Sequence, residues 1–361
     1  MKKGIVFLIL FSFLVSPSRL AYSADIDPHN TYQWPGDEEP WYEWWYYKLI
    51  DEKSGNSFYF CYGIVNPWDT QRTISSSRAF VSFGDFKNHT ILQTSLPVED
   101  FFASSEIPFV QIGKNVATDQ MIRGTFQDQG HDVSWDLSFH KIHGWDSMGW
   151  GLGFPNLFNI YWHTAQMDTK VNGSITLDGK RYIIENADGY QDRNWGHRFP
   201  EWWFWIVSNA FDQNPESSFA AGGGHAQFKK DVAPLPTALL FALRHEDQLY
   251  EFRSSDFGNF FDWDFKLGSW NVTASDGFKK LEVTAWVDPK DMMDLQFHTP
   301  DGKIFHDYET LCGNLHVKLF ERKALLFPWE KVVDLTSTQK AGLELGMDHI
   351  YDNDHFYGKT P

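Results

Sequence analysis

Cysteine is almost missing from this chain of 361 residues: Cys61 and Cys312 are the only two. So few exclude a disulfide framework, and neither has a Cys or His at metal-ligand spacing. Each sits in an apolar run, Phe58–Val65 and Leu311–Phe320, so two buried free thiols are expected. Positive charge is also scarce. With 31 basic against 48 acidic residues the formal net charge is −17, which argues against a nucleic-acid footprint and an anionic membrane surface. Beyond the first residues no apolar stretch is long enough to read as a membrane-spanning helix. Long 3.6-residue periodicity, internal repeats and low-complexity segments are likewise missing. So are the common catalytic signatures: there is no GxSxG elbow, no HExxH and no phosphate loop. Gly222-Gly223-Gly224 lacks the Lys and Ser/Thr that should follow, and reads as a bulge or a close backbone approach.

What is present is aromatic area. Phe, Trp and Tyr make up 17% of residues, with 32 Phe and 17 Trp. Such side chains suit pleated, half-buried surfaces. Trp41–Ile50 (WYEWWYYKLI) and Ser57–Val65 flank Ser54-Gly55-Asn56 and predict a hairpin. Glu43 interrupts the first run, and a solvated edge is the ordinary reading of such an acid. Val133, Trp135, Leu137 and Phe139 alternate with polar residues over His131–His140, the period of a half-buried strand. Ser174–Leu177 and Arg181–Ile184 flank Asp178-Gly179, another hairpin signal. Leu281/Val283/Ala285/Val287 and Leu315/Val317/Leu319 alternate in the same way. The chain reads as all-β, with short strands and frequent turns that point to sandwiches or barrels. The best domain boundary is Gly196–Glu201, and the Gly/Pro/Asn-containing loop Phe154–Asn159 is expected near a barrel mouth.

At the N-terminus Lys2 and Lys3 precede an apolar run, Ile5–Val15, and Ala21-Tyr22-Ser23 offers a cleavage site. Residues 1–23 are therefore expected to be a signal peptide, making the protein exported, in a periplasm or secreted. At the other end Asp348-His349, Asp352 and Asp354-His355 form a solvated acidic tail rather than a metal site.

The richest stretch is Gly189–Asn209 (GYQDRNWGHRFPEWWFWIVSN). Asp192, Arg193, Asn194 and His197 lie close to Trp202, Trp203, Phe204 and Trp205. Polar groups beside so much aromatic area suit a polar spot on the wall of an apolar cavity. A polar turn leading into a buried aromatic strand is the plainer alternative.

Here the chain resembles a known family. Tyr190-Gln191-Asp192-Arg193-Asn194-Trp195-Gly196 is similar to the tocopherol cyclase signature, an acid–base–Asn-Trp-Gly turn after a tyrosine. In order along the chain, Tyr42–Lys48, Phe199–Trp205, Ala221–Gly224, and Cys312–Leu315 with Glu321-Arg322 and Asp334–Ser337 resemble other family segments. The family's wider relatives are carotenoid hydratases and decalin-forming cyclases. The resemblance therefore implies two lipocalin-like β-barrel domains, 24–198 and 199–361. It also implies acid-catalysed cyclisation of a prenylated hydroquinone or related isoprenoid to a chromanol-type ring. Asp192 is the implied proton donor, with Arg193 and Asn194 beside it and Glu43 as a second candidate acid. Tyr190, Trp195, Trp202, Trp203, Trp205, Trp45 and Tyr47 are the implied substrate wall, whose ring faces suit a carbocation. No cofactor and no metal are expected. The partner is a hydrophobic small molecule, with room for a peripheral membrane contact for substrate access. Two alternatives stand beside this: hydration of an isoprenoid double bond, and a carrier that binds a hydrophobic ligand without catalysis.

Overall fold

The computed structural model describes residues 26–153, 157–225, 227–229, 237–352 and 357–358. The expected signal peptide, residues 154–156 of the expected mouth loop, and Asp354 and His355 of the tail lie outside them.

Almost all regular structure in the described chain is strand, with one short helix at Gly149–Leu152 and a few 3-10 turns. Two antiparallel sheets of eleven strands each divide it. The first sheet runs from Tyr42–Asp51 to Lys180–Gly196, and the second begins at Trp202–Ser208. In each sheet the first strand pairs with a long late strand: Tyr42–Asp51 lies against Lys180–Gly196, and Trp202–Ser208 against Glu330–Met347. Each sheet curls over its own core. Trp45, Phe58, Phe60, Phe83 and Trp135 fill the first; Phe204, Phe241, Phe265 and Trp270 fill the second. The architecture is a pair of lipocalin-like β-barrels. A third apolar layer, including Trp44, Tyr46, Tyr59, Trp162, Tyr190, Trp205 and Phe305, lies between the two sheets.

That third layer explains the pattern of the sequence. All ten residues of Tyr42–Asp51 are buried, because one face turns into the first barrel and the other towards the second. Two-sided burial produces a nearly continuous aromatic run. His131–Trp145 keeps one face in solvent, so Val133, Trp135, Leu137 and Phe139 are buried and alternate with more exposed polar residues. The two expected hairpins form, with Asp51 opposite Asn56 and Leu177 opposite Lys180. At the second, Asp178 and Gly179 adopt φ of 50° and 77°, as the tight turn requires.

Three local expectations need correction. Residues 189–196 are part of a strand, not a turn, because they complete the ladder with Tyr42–Ile50. Glu43 is no solvated edge: it is fully buried. Both cysteines are free, but only Cys61 is buried, while Cys312 is partly exposed and lies 3.2 Å from Ser57 Oγ.

Candidate active site

Between the two sheets lies a cavity of about 370 Å³. The first barrel supplies Trp44, Tyr46, Trp162, Asp192 and Asn194 to its wall, and the second supplies Trp203, Trp205, Leu240, Asp307, Glu309 and Glu344. Met148, Leu152, Leu157 and Phe158, from the helix and the loop after it, complete one side. Gly222, Gly223 and Gly224 also line it. A Cβ on Gly222 would come within 2.9 Å of the Trp162 ring, and one on Gly223 within 1.9 Å of the Ala238 carbonyl. The glycines therefore permit the close approach expected of them.

Asp192 sits on this wall 3% exposed. Three neutral donors converge on one of its oxygens, Oδ2: Trp162 Nε1 at 2.8 Å, the Tyr190 hydroxyl at 2.9 Å and Trp205 Nε1 at 3.0 Å. Those bonds leave Oδ1 to carry a proton. Burial raises the carboxyl pKa and the three bonds oppose it, leaving a net position of about 7. The group therefore keeps its proton below about pH 7 and gives it up above, and the anion it leaves behind has its hydrogen bonds already in place.

Because a strand alternates faces, the neighbour of Asp192 points away from the cavity. Arg193 is fully buried on the far side and paired with Glu43. Its guanidinium also donates to the carbonyls of His29, at 2.8 Å, and Thr31, and stacks on Trp45 with 4.4 Å to the ring centroid. Glu43 accepts in addition from the Gln33 amide at 3.0 Å and from Trp41 Nε1 at 3.3 Å. Burial pushes the Glu43 carboxyl up and the Arg193 guanidinium down, and their mutual attraction opposes both shifts. This pair pins the N-terminal segment to the first barrel.

The sequence-derived residues therefore separate. Asp192, Asn194, Trp203 and Trp205 line the cavity, and Tyr190 supports Asp192 from beside it. The others lie on opposite faces. Arg193 and Glu43 form the buried pair. Trp45 and Tyr47 fill the first barrel, Trp202 fills the second, and Trp195 stacks on Tyr161 at 5.6 Å beyond the cavity.

Sequence reasoning missed Trp44, Tyr46, Trp162 and, above all, three carboxyl groups. Oxygens of Asp307, Glu309 and Glu344 lie within 4.8 Å of one another. Tyr46 donates to Glu309 at 2.5 Å, and Trp203 to Asp307 at 3.1 Å. Burial raises all three pKa values, Asp307 to about 8, and for Glu309 and Glu344 the neighbouring acids raise them further. These are the oxygens that could hold a cation. Without an ion, burial and mutual repulsion favour protons shared among them, with Tyr46 and Trp203 donating to Glu309 and Asp307. The signal was present, because Asp307 and Glu309 interrupt the buried face that carries Phe305 and Leu311, and Glu344 sits between the buried Leu343 and Leu345.

Four carboxyl groups and no basic side chain stand among the described residues of the lining, together with Trp44, Tyr46, Trp162, Trp203 and Trp205. A cavity of that make-up can protonate an apolar ligand and accommodate the resulting cation against ring faces.

The family model described as "Tocopherol cyclase-like" matches residues 109–347. The chain is 25% identical over 374 aligned positions to "Tocopherol cyclase, chloroplastic" of Zea mays, covering 88% of this chain and 77% of the maize protein. Among solved structures, kievitone hydratase from Nectria haematococca superposes with a TM-score of 0.49 and 14% identity, over 85% of this chain and 88% of that one. The chain belongs to the tocopherol cyclase-like family.

Proposed function

We propose that this protein is an enzyme that closes a chromanol-type ring on a prenylated hydroquinone, with Asp192 as the proton donor. The observation that carries the proposal is the asymmetry of that carboxyl. Oδ2 takes all three hydrogen bonds, and Oδ1 is left at a cavity wall free of basic side chains. Protonation of the trisubstituted double bond from Oδ1 gives a tertiary cation. Trp205, Trp203 and Trp162 offer it ring faces, and the neighbouring phenolic oxygen captures it. The loss of the Asp192 proton is eased by donors that need not reorganise. The cyclised product is an isomer of the substrate, so the reaction requires no redox cofactor.

Incubation with a geranyl-substituted hydroquinone at pH 6, followed by mass spectrometry and retention analysis, tests this. An isomer of unchanged mass that has lost a phenolic hydroxyl is the expected product. A product heavier by one water would favour the hydratase reading, and tight binding without conversion would favour the carrier.

Export and membrane contact belong to the same proposal. The basic start and the Ile5–Val15 run support export, and a mature N-terminus near residue 24 is the expected result of N-terminal sequencing. The exposed Leu157 at the cavity wall, and the exposed Phe257 two residues beyond Ser255 of the lining, support contact with a lipid surface that delivers the substrate.

A further inference from the structure

Protonating the alkene is half of a ring closure. The other half is loss of the phenolic proton, which needs an acceptor near the head group and a route back to Asp192. A hydroquinone in an apolar cavity places its hydroxyls where acceptors are densest, and here that is the cluster of Asp307, Glu309 and Glu344. Glu309 is the member tied to the first barrel. It is 1% exposed, and its Oε1 bonds the Tyr46 hydroxyl at 2.5 Å across the gap between the sheets. Tyr46, in turn, is the cross-strand partner of Asp192. Its ring meets Trp205 edge-on at 5.5 Å, and Trp205 is itself a donor to Asp192.

Resting on Asp192 as the acid, we propose that Glu309 accepts the phenolic proton as the ring closes and that Tyr46 hands a proton back to Asp192. The atoms balance. The Asp192 O–H bond breaks as the new C–H bond forms on the alkene. The phenolic oxygen forms its C–O bond to the cation and becomes an oxonium, whose O–H bond breaks towards a Glu309 oxygen. The Tyr46–Glu309 bond then reverses, with Glu309 donating to the tyrosine oxygen and Tyr46 donating to the Asp192 carboxylate. Both acids return to their starting state and nothing is oxidised. An oxonium is acidic enough to protonate even a neutral carboxyl at its carbonyl oxygen, so the pair serves as a relay and does not have to be a standing anion. Asp307, Glu344, Asp192, Lys48, Tyr59 and Cys61 are charged or titratable groups that act on Glu309 besides Tyr46. Lys48 stays out of the lining.

The alternative is that the Tyr46–Glu309 bond only fastens the two barrels together. Turnover of a geranyl-substituted hydroquinone in deuterium oxide by wild type, Glu309→Gln and Tyr46→Phe separates the two. Wild type should give chromanol with one deuterium on carbon. Glu309→Gln should cyclise about 10²-fold more slowly, yet recovered substrate should carry deuterium in the prenyl chain, because the cation still forms and collapses by losing a neighbouring proton. Tyr46→Phe should lose at least about tenfold in steady state, more than it loses in a single turnover. Thermal unfolding of each variant establishes that it is folded, and Glu309→Asp should recover part of the cyclisation rate if Glu309→Gln does not fold. Wild-type rates in both variants, or equal loss of exchange and cyclisation in Glu309→Gln, would overturn the relay and leave Asp192 as the acid. A wild type that puts no deuterium on carbon would instead remove Asp192 chemistry, and the proposed function with it.

Discussion

Asp192 and Glu43 are two buried carboxyl groups on adjacent strands, each with a raised pKa near 7. Their surroundings differ in kind. Glu43 faces a guanidinium and a backbone amide, in a layer closed by Trp41 and Trp45. Asp192 faces three neutral donors on one side and open cavity on the other. A carboxyl opposite a buried cation serves as an anion and holds structure together. A carboxyl supported only by neutral donors can be kept protonated and can give that proton away. One strand, Lys180–Gly196, serves both, because its successive side chains point to opposite faces.

The contrast can be broken from either side. Asp192→Asn preserves shape but removes the proton, so kcat should fall by about 10²–10⁴-fold with ligand affinity nearly unchanged. Equal rates for wild type and Asp192→Asn would hand the acid's role elsewhere. Arg193→Met leaves Glu43 buried without its cation and should cost about 3–5 kcal/mol in urea unfolding. Adding Glu43→Gln should recover most of that loss and keep kcat within about tenfold. A single variant as stable as wild type would mean that the pair does not anchor the N-terminal segment.

On the cavity side the linkage runs with pH. The Asp307 carboxyl, raised to about 8, binds its proton more tightly in the folded than in the unfolded chain. Its stabilising contribution is complete below the unfolded value near 4 and disappears as pH rises through about 8. Wild-type Tm should therefore fall between pH 5 and 9. Asp307→Asn should flatten that fall and raise Tm at pH 9 by about 2–4 °C, the size of about 1 kcal/mol. A variant that melts lower than wild type at pH 9 would mean that Asp307 is ionised and paired. The smallest effect concerns delivery: Phe257→Asp should weaken binding to phospholipid vesicles several-fold while leaving turnover of detergent-dispersed substrate unchanged. Unaltered vesicle binding would remove Phe257 from any membrane contact.

Much of the fold was legible because β-structure writes itself locally. The alternation at Val133–Phe139 and the Asp178-Gly179 turn each depend on a few neighbouring residues. Part of the candidate site was legible too, since Asp192, Asn194, Trp203 and Trp205 of the cavity lining come from one short stretch. Treating Asp192 and Arg193 as one polar spot overlooked the period of the strand, which sends them to opposite sides. Asp307, Glu309 and Glu344 were out of reach for a different reason. They share a cavity with Asp192 only because two sheets pack face to face, an arrangement of residues over a hundred positions apart that no local pattern encodes. Each is nonetheless an acid drawn out of full solvent contact among apolar residues of its own strand, and such an acid calls for a partner or a function.

The dependence of kcat/KM on pH tests most directly whether the protonated Asp192 is the working form. For the free enzyme it reports the ionisation of the essential acid. With a geranyl-substituted hydroquinone, kcat/KM should be flat at low pH and fall about tenfold per pH unit above about 7, where Asp192 loses its proton. A kcat/KM that rises through pH 7, or stays level to pH 9, would contradict a neutral Asp192 as the proton donor.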